Sequence, residues 1–196
     1  MNNKCVICGC VRNCEPYLNQ VFDNIFRIKD IFEEVKVIIS FDESTDKSLE
    51  IINKYRTKLD IDIIINEMKL SNIRTLNIER ARNKIIDSIY KKYYNYDYFI
   101  MMDFDDVCSK KINIDVLSEG ISDSKNWDAL FFNNVGYYDY WALSFNIFQF
   151  SCWHFNKPIE VIKNMDNTFK NRIKSCDKYL SCNSAFGGFG IYKISK

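Results

Sequence analysis

The chain reads first as apolar runs separated by amphipathic stretches. Residues 6–11, 35–41, 61–65 and 98–102 are short, almost continuously apolar and rich in Ile and Val. Runs of that length and composition predict strands covered on both faces. Between them the apolar positions recur at helical spacing. Leu18, Val21, Phe22, Ile25 and Phe26 predict a helix over 17–28, and Leu49, Ile51, Ile52 and Tyr55 one over 44–55. Ile78, Ala81, Ile85, Ile86 and Ile89 predict a long helix from about residue 76 to 93. Strand and helix in alternation predict an α/β fold: a mostly parallel sheet with helices on both faces. The second half changes character. Residues 127–133 predict a further buried strand, 135–150 are rich in Tyr, Trp and Phe, 158–173 read as helix, and 184–194 as a late strand with a Gly-rich opening. No repeat or linker interrupts the chain, so a single domain over 1–196 is expected, with a first half 1–110 and a second half 111–196.

In open parallel sheets, ligands bind at the carboxyl ends of the strands. Polar residues gather at those ends here. Arg12 and Asn13 follow the first run, 42–46 the second, Asn66 and Glu67 the third, and 103–106 the fourth. The last group, Asp103-Phe104-Asp105-Asp106, follows a buried strand. From an extended backbone, Asp103 and Asp105 point the same way and can approach one ion. Carboxylates suit hard cations such as Mn²⁺ or Mg²⁺, which complete their shell with substrate phosphates and water. Arg80 and Arg82 fall near the predicted start of the long helix, where a cation opposes the helix dipole and calls for an anion nearby. They lie about 200° apart, so one of them at most is expected to face the site. Arg74 and Arg80 are the candidates.

Composition removes several classes. The net charge of +1 builds no field for nucleic acid, so none is expected as a partner. With 6 Gly, and Gly9 alone in the first apolar run, there is no phosphate-binding glycine loop or dinucleotide fingerprint. Cys5, Cys8, Cys10 and Cys14 cluster, but Cys5 and Cys8 point to opposite faces of a strand. They read as small core residues and free thiols, not as a zinc knuckle. Neither a leader pattern nor a transmembrane segment is visible, so a cytoplasmic chain is expected.

The ordered set of Val11-Arg12-Asn13, Asp42-Glu43-Ser44-Thr45-Asp46, Glu79-Arg80-Ala81-Arg82-Asn83 and the Asp-x-Asp resembles the GT-A (Rossmann-like) glycosyltransferases. Further on, Trp127-Asp128-Ala129, then 138–143 (Tyr-Asp-Tyr-Trp-Ala-Leu) and Phe186-Gly187-Gly188-Phe189 are similar to the capsule-associated α-1,3-mannosyltransferase-like branch. The resemblance implies a metal-dependent transferase moving a hexose from a UDP- or GDP-sugar to a glycan hydroxyl. It implies that Arg12 and Asp42 touch the base or ribose, and that Asp46 and Arg80 lie near the ribose and diphosphate. Asp103 would contact the ribose or the metal's water shell, and Asp105 the metal. Gly187 and Gly188 would let backbone approach the sugar or acceptor. A late metal ligand could be His154, and a base could come from Asp139, Asp128 or Asp177. Two other readings fit the Asp-x-Asp or the aromatic stretch: a haloacid-dehalogenase-type phosphohydrolase with Asp103 as nucleophile, and a non-catalytic carbohydrate-binding module.

Overall fold

The computed structural model describes residues 3–132, 139, 141–145, 150–151 and 179–194. The first part of the chain runs β1 (Lys4–Val11), α1 (Glu15–Lys29), β2 (Glu34–Phe41), α2 (Ser48–Tyr55), β3 (Ile61–Ile65), α3 (Arg74–Lys92), β4 (Tyr98–Met102) and α4 (Ile114–Ser122). Then come β5 (Ala129–Phe131), β6 (Ser144–Phe145), β7 (Phe150–Ser151) and β8 (Phe189–Lys193). Six strands form one sheet in the order β3-β2-β1-β4-β8-β5. β1 pairs in parallel with β2 and β4, β2 in parallel with β3, and β8 runs antiparallel to β4. The sheet is therefore the mostly parallel one that the apolar runs predict. Val6, Ile7, Cys8, Val37, Ile38, Ile39 and Ile100 are wholly buried in it.

The path of the chain creates a crevice. It steps from β1 outward to β2 and β3, then returns past β1 to β4. Crossovers of this kind are right-handed, so reversing direction moves the connecting helix to the opposite face. α1 and α2 share one face, where Phe22 stacks on Tyr55 with ring centroids 4.1 Å apart. α3 covers the other, against β1 and β2. The reversal falls between β1 and β4, the place where such sheets open for ligands.

Local details depart from the sequence pattern for identifiable reasons. α2 begins at Ser48, not at 44, because 44–47 bond to the β1–α1 loop instead of continuing the helix. α4 carries too short an apolar stripe to stand out, and is started by Asn113, whose side chain accepts from the Asp115 and Val116 N–H groups. β5 is shorter than the expected 127–133 and only half-buried, since Trp127 turns to donate from Nε1 to the Gly120 carbonyl. The expected helix at 158–173 and most of the aromatic stretch lie outside the described residues.

Two compact units are present. One comprises Met1–Leu130 and Gly188–Lys196, and the other Phe131–Gly187. Within the second, β6 and β7 form an antiparallel pair, Ser144 bridges Ser184, and Leu143 is buried. Among the described residues, no helix is long and apolar enough to cross a membrane.

The loop after β4 is tied down by one buried side chain. Asn24 of α1, 2% exposed, donates from Nδ2 to the carbonyls of Cys108 (2.9 Å) and Lys110 (2.8 Å), and accepts from Ile112 N–H (3.1 Å). Replacing it by Leu would strand three backbone groups. The Asn24→Leu protein is expected to lose about 3 kcal/mol of stability, read as a lower urea midpoint. A change under about 0.5 kcal/mol would show the loop is held by other means.

Candidate active site

All four parallel strands end on one edge of the sheet, and β8, running the other way, begins there. That edge carries the polar loops. At the end of β4, Phe104 is 1% exposed, edge-on to Phe22 at 6.3 Å, and it lies over Gly9 of β1. A Cβ on Gly9 would overlap both the Phe104 ring and the Met102 carbonyl oxygen. Burying Phe104 leaves its neighbours Asp103 and Asp105 as the half-buried, outward members of the motif.

Asp103 is fixed from two directions. Its N–H donates to the Gly188 carbonyl at 2.8 Å, and its Oδ1 accepts from Arg82 Nη2 at 2.9 Å. Asp105 Oδ1 accepts from Val107 N–H at 3.0 Å. Gly188 has φ 83°, a left-handed value that disfavours side chains. A Cβ there would meet Val107 and come within 3.3 Å of Asp103 Oδ2.

The neighbouring loops lock onto each other. Asn13, at φ 52°, accepts from Thr45 N–H through Oδ1 and donates its own N–H to Ser44 Oγ. Asn tolerates this left-handed conformation better than most residues. Asp46 accepts from Glu15 N–H (2.9 Å) and Ser48 N–H (3.0 Å), while Glu15 Oε2 accepts from Lys47 N–H. Burial works against the charge on Asp46, but bonds from Ser48 and the Glu15 N–H outweigh it and hold the carboxyl below its usual range. The stability this pairing supplies is present above the unfolded value and is lost as pH falls through the lowered one. Asp46 thus caps the starts of α1 and α2. Arg12 is exposed at the end of β1.

The two arginines of α3 behave differently from the sequence expectation. α3 starts at Arg74, so Arg80 and Arg82 sit in its second and third turns, beyond the reach of the terminal dipole. Its buried stripe is Ala81, Ile85 and Ile89. Arg80 and Arg82 therefore flank that stripe on opposite sides, about 100° from it each way. The sheet edge beneath spans several strands about 4.8 Å apart, so both flanks border it. Arg82 reaches Asp103 on the β4 side. Arg80, with Lys84, Asp42, Asn66 and Asn77, lines a small cleft at the ends of β2 and β3. Arg82 is the site residue that sequence reasoning passed over. The position of Ala81 in the buried stripe is the signal that could have found it. Arg74 is exposed at the first turn.

In the second unit Asp139 is half-buried, with its carbonyl accepting from Ala142 N–H at 3.1 Å, and Gly187 closes that unit. Asp177 and His154 lie outside the described residues. Cys5 and Cys8 are buried thiols, and burial pushes Cys10 up to about 12, so all three stay protonated in the folded protein. Among the described residues no three His, Cys, Asp or Glu side chains gather as a metal cluster.

A sequence-family model described as Glycosyl transferase family 2 matches residues 6–179. The chain belongs to glycosyl transferase family 2. Its mostly parallel six-stranded sheet is the GT-A, Rossmann-like arrangement. A phosphohydrolase with Asp103 as nucleophile has no place in such a family. Among solved structures, this family 2 chain is similar to S. aureus TarS at 19% identity, covering 79% of this chain and 45% of that one, with a TM-score of 0.48. It is also similar to the mannosyltransferase PcManGT from Pyrobaculum calidifontis in complex with GDP-Man and Mn²⁺ (12% identity, 62% and 32% covered, TM-score 0.42). A third is core-mannan synthase A from Aspergillus fumigatus in its Mn/GDP form (11% identity, 99% and 60% covered, TM-score 0.39). The chain spans less than half of the TarS chain it matches. No curated protein matches it.

Proposed function

We propose that this chain transfers a hexose from a nucleoside-diphosphate sugar, UDP- or GDP-linked, to a hydroxyl of a glycan or glycoconjugate, with Mn²⁺ or Mg²⁺ at Asp103 and Asp105. The observation that carries the reading is the end of β4: two carboxylates on either side of a buried Phe104, with Arg82 bonded to one of them. Two carboxylates supply part of a hard cation's shell and leave room for diphosphate oxygens and water, as Mg²⁺ prefers. The metal would neutralise charge on the departing diphosphate. The Arg82 guanidinium would add a second positive group beside it. In this reading Asp42, Arg80 and Arg12 take the base and ribose, and Asp46 holds the loops that frame them. Arg74, exposed at the start of α3, would meet the diphosphate from solvent.

The acceptor side rests on sequence. The 138–143 segment and Phe186-Gly187-Gly188-Phe189 support the capsule-associated α-1,3-mannosyltransferase-like branch. Asp139 or Asp177 would take the proton of the acceptor hydroxyl, His154 would add a metal ligand, and Gly187 would line the acceptor path. The chain would work as one domain, residues 1–110 holding the donor and 111–196 the acceptor, on the cytoplasmic side of any membrane.

Thermal unfolding with UDP, GDP and Mn²⁺ tests the donor half of this reading. A nucleotide at about 100 times its Kd adds about 2.7 kcal/mol and raises Tm visibly. The rise should require Mn²⁺ and vanish in Asp105→Ala. A folded protein that shifts with neither nucleotide would overturn the reading.

A further inference from the structure

The loop that follows β4 is closed at both ends on one atom. Asp103 N–H and Cys108 Sγ each donate to the Gly188 carbonyl oxygen, at 2.8 and 3.1 Å. A carbonyl oxygen only accepts, so the thiol is the donor. Cys108 is 4% exposed and is held a second time through its own carbonyl, by Asn24 Nδ2 at 2.9 Å. Asn24 also holds the Lys110 carbonyl and the Ile112 N–H, and Arg27, further along α1, donates from Nη1 to the Ile112 carbonyl at 2.8 Å. Between these ties Phe104 is buried against Phe22, and Val107 lies against Gly188 while its N–H donates to Asp105 Oδ1. Residues 103–108 thus span a fixed gap, with Asp103 and Asp105 as its half-buried carboxylates.

We propose that Asn24 and Cys108 are positioning residues that fix the spacing of Asp103 and Asp105, and through it make the pair selective for a small octahedral cation, Mn²⁺ or Mg²⁺, over Ca²⁺. This rests on the metal reading of Asp103 and Asp105 given above. Neither residue supplies a group to the ion: the Asn24 amide is spent on backbone groups, and the Cys108 thiol is turned to Gly188. Mg²⁺ demands near-ideal octahedral geometry with oxygens at about 2.0–2.1 Å, whereas Ca²⁺ takes more oxygens, at about 2.3–2.6 Å, in a flexible arrangement. Discrimination between them follows from cavity size, ligand number and rigidity. A loop free at one end can spread its carboxylates and turn one of them bidentate, which suits Ca²⁺. A loop tied at both ends to Gly188 and backed by α1 cannot widen without stranding a buried polar group. Arg82 works in the same direction, since it holds Asp103 Oδ1 and opposes a bidentate grip from that side.

Competition between the two cations tests this. Mn²⁺ is titrated into the full chain with UDP and GDP present, free Mn²⁺ is read from its electron paramagnetic resonance signal, and CaCl₂ is added as competitor. The same titration without protein is subtracted. Groups that orient metal ligands from behind are typically worth about 10–100-fold in metal affinity, so wild type should prefer Mn²⁺ over Ca²⁺ by at least about thirtyfold. Cys108→Ala removes the thiol bond to Gly188, and Asn24→Ser the ties to the exit of the loop. Each should weaken Mn²⁺ by about tenfold or more and shrink the preference to less than about threefold. Cys108→Ser, whose hydroxyl still donates, should keep it. A merely structural role would lower the urea midpoint of the variants and leave the cation preference of the folded protein as it was. If Asn24→Ser fails to fold, the two Cys108 variants decide alone. An unchanged preference in Cys108→Ala, or Ca²⁺ binding wild type as tightly as Mn²⁺, overturns the assignment and leaves the transferase reading standing. Folded wild type that binds neither cation overturns both.

Discussion

Asp105→Asn should lower the rate of sugar transfer by about a thousandfold, equivalent to about 4 kcal/mol of lost stabilisation where charge develops on the leaving diphosphate. The substitution is nearly isosteric. An Asn side-chain oxygen still accepts the bond from Val107 N–H that Asp105 Oδ1 receives at 3.0 Å. The loop should therefore keep its shape, and the change removes one negative charge from the proposed metal site. Initial rates at saturating Mn²⁺ and donor sugar, beside urea unfolding of both proteins, separate the two effects. A matching urea midpoint with the large rate loss assigns Asp105 to the metal. Activity within about tenfold of wild type would move the metal elsewhere, because a directly bound carboxylate contributes several kcal/mol. Asp103→Asn asks a different question: it also takes the charge out of the Arg82 pair and leaves a neutral hydrogen bond there, so some loss of stability should accompany the loss of rate.

Gly9→Ala should cost this chain several kcal/mol of stability. The new Cβ has no room, since it would fall on the Met102 carbonyl oxygen and on the Phe104 ring. A ring can shift, but the carbonyl of Met102, paired with Phe189 of β8, cannot move without disturbing the β4 ladder. Overpacking in cores usually costs 1–3 kcal/mol, and a backbone collision takes the expected loss to about 4 kcal/mol or more. Chemical denaturation measures it. The folded fraction should also lose transferase activity disproportionately, because displacing Phe104 moves Asp103 and Asp105 together. Stability within about 1 kcal/mol of wild type would mean that β1 and β4 can separate locally, and that Phe104 does not set the position of the acidic pair.

Much of this protein could be read without coordinates. The apolar runs at 6–11, 35–41, 61–65 and 98–102 are strands, because a segment buried on both faces must be apolar at every position. The polar residues that follow each run come together because parallel strands end on a common edge. The ordered motifs pointed to the GT-A glycosyltransferases at large, and the family model places the chain in glycosyl transferase family 2.

What stayed hidden depends on which elements become neighbours. Nothing local says that β8, some 86 residues after β4, inserts beside it and runs antiparallel, yet that choice brings Gly188 to Asp103. Helical periodicity gives angles around α3 but not the width of the sheet edge beneath it, so Arg82 was passed over although it is the arginine that bonds to Asp103. Likewise, Asn66 showed itself only as a polar residue after a strand. Its link from Lys84 to Asp42 exists because α3 packs across β1 and β2 and lays its flank along the ends of β2 and β3. Sequence fixes which faces are buried, through the local period of apolar side chains. Which side chains then meet across those faces is decided by the packing of elements distant in the chain.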